Sequence, residues 1–426
     1  MANRKKKKTP PKPPCSLSIS KTYFDEFSVT ARKVLQLLEL DPALYDKFTK
    51  KQKLSMMVLR FIPPHVYSMT GHSVPKVYVK VLQQEAYKFL KEIQVGEPSL
   101  GLSFYDYVTY GMTFISAARC REQEYAETPV GPICSEIAKR YTDNNNNFDI
   151  SYMRSFYQYM HLITFFLSKI NMRYYGFNCT WEKVRNSNRW ACHVFISANE
   201  AERVHFTYKK MLRPAYRLAM GSFLSKEPNW IMIPYTDLYP DRKTDKLLNV
   251  YVQNHVIARM KQRLDNQVST YHNIALVNSM FNKEMVKCDN GQSFLACRDH
   301  NELLVGYFPF IIIDENLYIL TFLPLSSPDV PEGKKMCESL RANKDDLIFL
   351  GMDKLSFYSE TDFDAIPQLK TALKDAGMWH LTEIESDDRT SADSFEKRIG
   401  LMAKFFQQNA PELNKEDVLE EIEKMY

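Results

Sequence analysis

The spacing of apolar residues in the first part of the chain is typical of helices. From Phe24 to about Phe61 the apolar positions follow a helical period, and Pro63-Pro64 then predicts a firm break. Further helices are predicted at Val77–Ile93, Ser103–Arg121 and Ser151–Ile170, the last of them strongly aromatic.

The pattern becomes mixed beyond residue 180. Strands are predicted at 180–184 and 190–197, followed by a helix from about Asn199 to Met220 that carries bases on one side. Next come a short strand at Leu247–Val252 and helices at Gln253–Asp265 and Tyr271–Met280. A β-meander follows at Met285–Cys288, Gln292–Arg298, Glu302–Ile313 and Leu317–Leu323. The last part of the chain has a predicted strand near Leu347–Leu350 and a helical pattern after it.

These elements predict an α+β protein. It has a mostly helical N-terminal domain, then a small helix-plus-antiparallel-sheet domain and an acidic helical C-terminus. The run Asn144–Asn147, flanked by acids, predicts an interior loop and a domain boundary. The predicted regions are a disordered basic tail (1–20), a helical domain (21–143), a basic aromatic-rich α+β region (148–246), an α+β unit (247–350) and an acidic, mainly helical region (351–426).

Several classes of protein are excluded by what the sequence lacks. The best apolar stretch, Met160–Leu167, is far shorter than the roughly 20 residues that a bilayer needs. No apolar segment follows the basic N-terminus, and the eight cysteines include no C-x-x-C spacing. Phosphate-binding glycine loops and zinc-protease motifs are absent as well. We therefore expect a cytoplasmic protein with reduced cysteines, no membrane association, no metal and no cofactor.

Charge is distributed unevenly along the chain. The formal net charge is +5, and six bases in residues 1–12 account for more than this total. Residues 383–426 hold twelve acids against six bases, so this acidic region is a candidate surface for a protein partner.

Residues 151–265 are both basic and aromatic. They contain eighteen Lys or Arg, eight Asp or Glu and twenty aromatic residues. Bases neutralise phosphates and aromatic rings stack on unpaired bases, so this composition indicates a nucleic-acid surface, for RNA rather than DNA. The candidate nucleic-acid-binding residues are Lys209, Lys210, Arg213, Arg217 and Lys261. The alternative is that the rings form a core and the bases only keep the surface hydrated.

One predicted helix carries a set of candidate catalytic side chains. His255, Arg259 and Arg263 stand at i, i+4 and i+8, so they form one stripe beside an apolar face. An imidazole transfers protons near neutral pH and guanidinium groups bind phosphate, which is the set that phosphodiester cleavage needs. The alternative is that His255 caps the helix or packs locally while the arginines pair with acids such as Asp241 or Asp245.

The segment around this helix resembles small toxin domains of the RelE, HigB and BrnT type. The likeness rests on a strand, the H-x-x-x-R-M-K-x-R helix and a meander whose last strand reads LYILTFLPL, over about residues 247–325. The resemblance implies a compact helix-plus-sheet fold and RNA cleavage without metal, with His255, Arg259 and Arg263 as catalytic residues. The family's later catalytic positions have no clear counterpart here, Thr321 and Tyr318 being the nearest polar residues, and Tyr271 and His272 are a candidate source of a second acid or base.

Two functional hypotheses follow. The first is a nucleic-acid-acting protein, specifically a metal-independent endoribonuclease with a RelE-like domain. The second is a non-enzymatic nucleic-acid-associated structural or accessory protein of a phage or mobile element. An open cavity lined by His255, Arg259 and Arg263 would favour the first.

Overall fold

The computed structural model describes residues 20–183, 189–222, 226–242, 244–287 and 291–384, without the side chains of 144–150 and of Arg189. The predicted basic tail, apart from Ser20, and the acidic region from residue 385 onwards lie outside these described residues. The described chain contains both helices and sheets, which confirms the α+β class.

Helices dominate the first 170 residues. The α-helices of this part are α1 (Lys21–Leu37), α2 (Lys50–Met56), α3 (Lys76–Glu92), α4 (Phe104–Asp106), α5 (Met112–Cys120), α6 (Glu122–Tyr125) and α7 (Gly131–Leu167). A π-helical turn at Tyr107–Gly111 joins α4 to α5, so the predicted helix over 103–121 is confirmed with one wide turn in it.

Two predictions in this part are wrong. The backbone of Asn144–Asn147 is helical within α7, so the polar asparagine run does not interrupt the helix as an interior loop. Pro63-Pro64 does not break the structure either, because both prolines lie inside strand β1 (Arg60–Ser68). In the three-stranded sheet of order β1-β3-β2, with β2 at Arg173–Lys183 and β3 at Arg189–Glu200, β1 is an edge strand, where a missing N–H is tolerated.

The second half of the chain is built on a nine-stranded sheet. The strands of this half are β4 (Arg203–Tyr208), β5 (Met211–Arg217), β6 (Ala219–Met220), β7 (Asn229–Trp230), β8 (Met232–Pro234), β9 (Leu247–Gln253), β10 (Met285–Lys287), β11 (Ser293–Arg298), β12 (Leu304–Ile313), β13 (Asn316–Ile319) and β14 (Leu323–Pro324). The order is β10-β11-β12-β13-β9-β5-β4, with β14 on β12 and β8 on β9. The predicted meander is thereby confirmed. The predicted antiparallel sheet is in fact mixed, since β9 and β13 pair in parallel while the other strand pairs named above are antiparallel.

The helices of this half are α8 (Tyr235–Leu238), α9 (Asn254–Arg263), α10 (Ser269–Asn282), α11 (Pro331–Leu340), α12 (Lys344–Phe349), α13 (Leu355–Glu360) and α14 (Pro367–Asp375). The strand predicted near Leu347–Leu350 is wrong because Asn343 and Asp346 form a capping box that starts α12.

The helix predicted from Asn199 to Met220 is also wrong. This segment contains the antiparallel hairpin β4–β5, in which Val204 pairs with Ala215 and Tyr208 with Met211. Val204, Phe206 and Tyr208 alternate with polar residues, which is the period of a strand, and this signal outweighs the helical spacing of the bases.

By contacts, the chain separates into two units. Unit 1 comprises Met1–Pro64, Tyr87–Tyr152 and Trp181–Cys192, and unit 2 comprises His65–Ala86, Met153–Thr180 and His193–Tyr426. The described core of unit 1 includes Phe27, Tyr45 and Phe114, whose rings pack edge-on. Unit 2 holds the nine-stranded sheet, one face of which packs on α9, α10 and the helices after residue 330.

Candidate active site in unit 2

The stripe predicted on α9 lies on one wall of a cavity. Gln253, the last residue of strand β9, occupies the N-cap position of α9 without a capping hydrogen bond from its side chain, and the helix buries Val256 and Met260 in the core. Burial of these two side chains fixes the rotation of the helix, so its next face lies at the cavity. His255, Arg259 and Arg263 all line that cavity.

The remaining walls come from the chain after residue 320. The cavity has a volume of about 170 Å³. Its other lining residues are Thr321, Phe322, Leu323, Pro324, Ser326, Ser327, Pro328, Lys344, Leu347, Ile348 and Asp353. A cavity of this volume accommodates a phosphate group.

Asp353 is the acidic residue of the cavity wall. Its carboxylate forms an ion pair with Arg263, and the two side chains are only 7% and 16% exposed. The sequence hypothesis that Asp241 or Asp245 would pair with the arginine is therefore wrong for Arg263. Nothing in the sequence pattern indicates Asp353, because it lies in an irregular stretch between α12 and α13.

The pKa of His255 is shifted downwards. Partial burial disfavours the charged imidazolium, and the positive charges of Arg259 and Arg213 lower the pKa further. The imidazole is therefore neutral near pH 7 and able to accept a proton.

Arg259 lies between the other two members of the stripe. Its Nη1 donates a hydrogen bond to Gln262 Oε1 at 3.3 Å. Among the described side chains, no carboxylate lies within ion-pair distance of Arg259. Its positive charge is thus available to a phosphate, whereas that of Arg263 is shared with Asp353.

Serines form another part of the wall. Ser326 and Ser327 are buried, and α11 packs against them through Gly333. A Cβ at position 333 would collide with the Ser327 carbonyl oxygen, so glycine is required for this close approach.

The β4–β5 hairpin brings part of the predicted nucleic-acid surface to the same site. Lys209 and Lys210 form its turn, and Arg213 is near enough to act on the pKa of His255. Arg217 differs, since it is ion-paired with Glu202 at 3.2 Å and hydrogen-bonded to Asn249 at 2.6 Å. Lys261 is exposed on α9 and does not line the cavity.

Of the other polar candidates named from the sequence, one lines the cavity and three do not. Thr321 lines the cavity. Tyr318 faces the other side of the sheet and stacks on Phe206 with ring centroids 4.1 Å apart. Tyr271 and His272 are buried, with Tyr271 donating to Asp299 Oδ2 and the His272 ring bonded to the Leu264 carbonyl oxygen. The hypothesis that these two supply a second acid or base is therefore wrong for this cavity.

Comparisons with protein-family models, with curated proteins and with solved structures find no match to this chain. Among the described residues, no group of three His, Cys, Asp or Glu side chains is placed to hold a metal ion. None of the helices in the described part combines the length and the apolar composition that crossing a bilayer requires.

Proposed function

We propose that unit 2 binds RNA and cleaves its phosphodiester backbone at the α9 cavity. The observation that carries the proposal is that His255, Arg259 and Arg263 line one cavity that accommodates a phosphate, with Lys344 also on its wall. Arg263 is paired with Asp353 and Lys344 with Asp329, so Arg259 beside His255 is the part of this wall that suits an anionic group best.

The chemistry requires a proton acceptor and positive charge. With its pKa held low, His255 removes the proton from a ribose 2′-hydroxyl, and the 2′-oxygen attacks the adjacent phosphorus. The new 2′-O–P bond forms as the P–O5′ bond breaks, which leaves a 2′,3′-cyclic phosphate. The 5′-oxygen takes up a proton from solvent, and the imidazolium returns its own proton to solvent. Arg259 and Arg263 stabilise the additional negative charge on the phosphoryl oxygens.

One feature of this scheme favours RNA over DNA, and a second favours nucleic acid of either kind. The reaction uses a 2′-hydroxyl, which DNA lacks. The hairpin bases Lys209, Lys210 and Arg213 extend the positive surface beyond the cavity, so neighbouring phosphates are bound as well. The likeness to RelE-type domains supports the same chemistry and is part of the proposal.

The test is cleavage of end-labelled RNA by the purified protein in EDTA. We expect wild-type protein to cleave and H255A to lose at least 100-fold in rate, in keeping with the contribution of a general base. H65A, which removes an exposed histidine outside the cavity, is the matched control and should cleave normally. Equal cleavage by wild type and H255A would contradict the proposal. RNA binding without cleavage would support the alternative of a non-enzymatic nucleic-acid-associated protein.

A further inference from the structure

Helix α12 contributes one of its faces to the wall of the α9 cavity. Lys344, Leu347 and Ile348 all line the cavity, and they stand at i, i+3 and i+4, which is the spacing of residues on one helix face. Phe349 and Leu350 follow directly and do not line the cavity. The helix therefore presents to the cavity one base and two apolar side chains.

The exposure of the lining residues shows which of them lie at the mouth of the cavity. Leu347, Asp353 and Ser326 are buried, so they lie in its interior. Ile348 lines the same cavity and yet has 43% of its surface exposed, and His255 is exposed as well. A side chain that both lines a cavity and contacts solvent lies at its opening. Ile348 and His255 therefore both lie at the mouth.

Ile348 has no chemistry to offer a phosphate. It carries neither charge nor hydrogen-bond donor, and the part of the wall that suits an anion is Arg259 beside His255. The exposed surface of Ile348 gains free energy only when an apolar or flat group removes it from water. In a ribonucleotide whose phosphate lies in the cavity, the group of that kind is the nucleobase.

The proposed reaction determines which nucleobase this is. His255 accepts the proton of a 2′-hydroxyl, so C2′ of the attacking ribose lies at the mouth of the cavity. The base of that nucleotide is attached to C1′, the neighbouring carbon of the same ring. The base of the leaving nucleotide is separated from the 2′-oxygen by the phosphate and a second ribose. The base nearer to the mouth is therefore the one on the 5′ side of the cleaved bond.

We propose that Ile348 is a specificity-determining residue, which packs against the face of the nucleobase on the 5′ side of the cleaved phosphodiester. Enzymes that act on nucleic acids hold unstacked bases between aromatic or apolar side chains in the same way. A purine has a larger face than a pyrimidine and removes more of Ile348 from water, so the site prefers a purine there. This inference rests on the proposed function and adds to it a base preference.

The first test measures binding and needs no cleavage. The probes are adenosine 3′-phosphate, uridine 3′-phosphate and inorganic phosphate, each titrated calorimetrically into wild type and I348S. Adenosine 3′-phosphate should bind wild type more tightly than uridine 3′-phosphate does. I348S should weaken adenosine 3′-phosphate at least fivefold and leave inorganic phosphate within twofold. The matched controls are F349S and L350S, which shorten the next two apolar side chains, 90% and 54% exposed, and should leave all three affinities within twofold.

The second test is cleavage of the dinucleotides ApU and UpA, written 5′ to 3′. Wild type should cleave ApU faster than UpA. I348S should raise KM for ApU at least fivefold with kcat within twofold, because the base contact is the same in the ground state and the transition state.

Three results would overturn the role of Ile348. They are a preference that follows the base on the 3′ side, an unchanged affinity of I348S for adenosine 3′-phosphate, and a loss of affinity for inorganic phosphate as large as that for the nucleotide. If wild type binds adenosine 3′-phosphate through Ile348 but cleaves neither dinucleotide, the proposed cleavage fails while the base contact stands.

Discussion

Arg263 and Asp353 form an ion pair at the wall of the cavity, although they are separated by 90 residues of sequence. Both side chains are largely shielded from water, so each charge depends on the other for its compensation. The pair also holds the Arg263 guanidinium where it lines the cavity beside Arg259.

Breaking this pair should destabilise the fold strongly. In D353N the Arg263 charge is left without its partner, and we expect a loss of about 3 kcal/mol in the free energy of unfolding. Urea denaturation measures this loss. E284Q, which breaks the more exposed pair of Glu284 with Arg298, is the control and should cost less than about 1 kcal/mol.

A double substitution separates stability from function. R263M/D353L replaces the pair by apolar side chains of similar length, and its stability should return to within about 1 kcal/mol of wild type. Cleavage of RNA should stay low in this variant because a phosphate-binding charge is gone. If D353N lost no more free energy of unfolding than E284Q, then Asp353 would not be compensating a buried charge on Arg263.

The pKa of His255 should depend on the charge of Arg213 in the β4–β5 hairpin. R213Q removes one of the two positive charges that hold this pKa down, so the pKa should rise towards the ordinary value of about 6.5. NMR titration of the His255 ring detects the change without any substrate. In kinetics, the acid limb of kcat/KM should move to higher pH in the same direction. R203Q, on the neighbouring strand, is the control and should shift the pKa less; equal shifts would argue against a local effect of Arg213.

The turn of the hairpin should become more stable when its lysines are replaced. K209N/K210G supplies the residues that prefer positive φ, and we expect a gain of about 1 kcal/mol in the free energy of unfolding. The same change should reduce the slope of log K against log salt for RNA binding by about 1.5 to 2, since two phosphate contacts are lost. K209Q/K210Q removes the two charges but leaves residues that disfavour positive φ. It should therefore show the same reduction in the salt slope without the gain in the free energy of unfolding. A gain in both variants would contradict the role of φ.

His161 should make the fold sensitive to acid. Burial in α7 lowers the pKa of His161 to about 4, whereas the unfolded chain titrates near 6.5. The unfolded state therefore binds an extra proton as the pH falls from about 6.5 to 4, and stability should decrease by on the order of 3 kcal/mol over that range. Unfolding of wild type and H161Q at several pH values tests this, because the glutamine does not titrate. If the free energy of unfolding depended on pH in the same way in both proteins, His161 would not be the source of the acid sensitivity.

The sequence could predict helix α9 and its three polar side chains, but not the rest of the cavity. His255, Arg259 and Arg263 share a face through local geometry alone, and the helical period expresses that geometry directly. Asp353 and Lys344 reach the same cavity through the long-range packing of α11 and α12, for which a single sequence contains no local signal.

The errors in the secondary-structure predictions also have physical reasons. Residues 199–220 contain bases at helical spacing, yet Val204, Phe206 and Tyr208 alternate at strand spacing and pack beside Tyr251 and Tyr318. The tertiary contact decides in favour of the strand. At Leu347–Leu350 a short apolar run is equally compatible with strand and helix, and the capping box of Asn343 decides it.

The parallel pairing of β9 with β13 has a consequence for the order of folding. The hairpin β4–β5 and the meander β11–β12–β13 each pair strands that are close in sequence, so each can form early. β9 lies between them: its Val252 pairs with Tyr216 on one side, and its Val250 pairs on the other side with Leu317, which lies 67 residues later in the sequence. Closing that long loop is slow, and β9 must be docked before α9 can present His255 to a completed cavity. Substitutions in β9 should accordingly slow refolding.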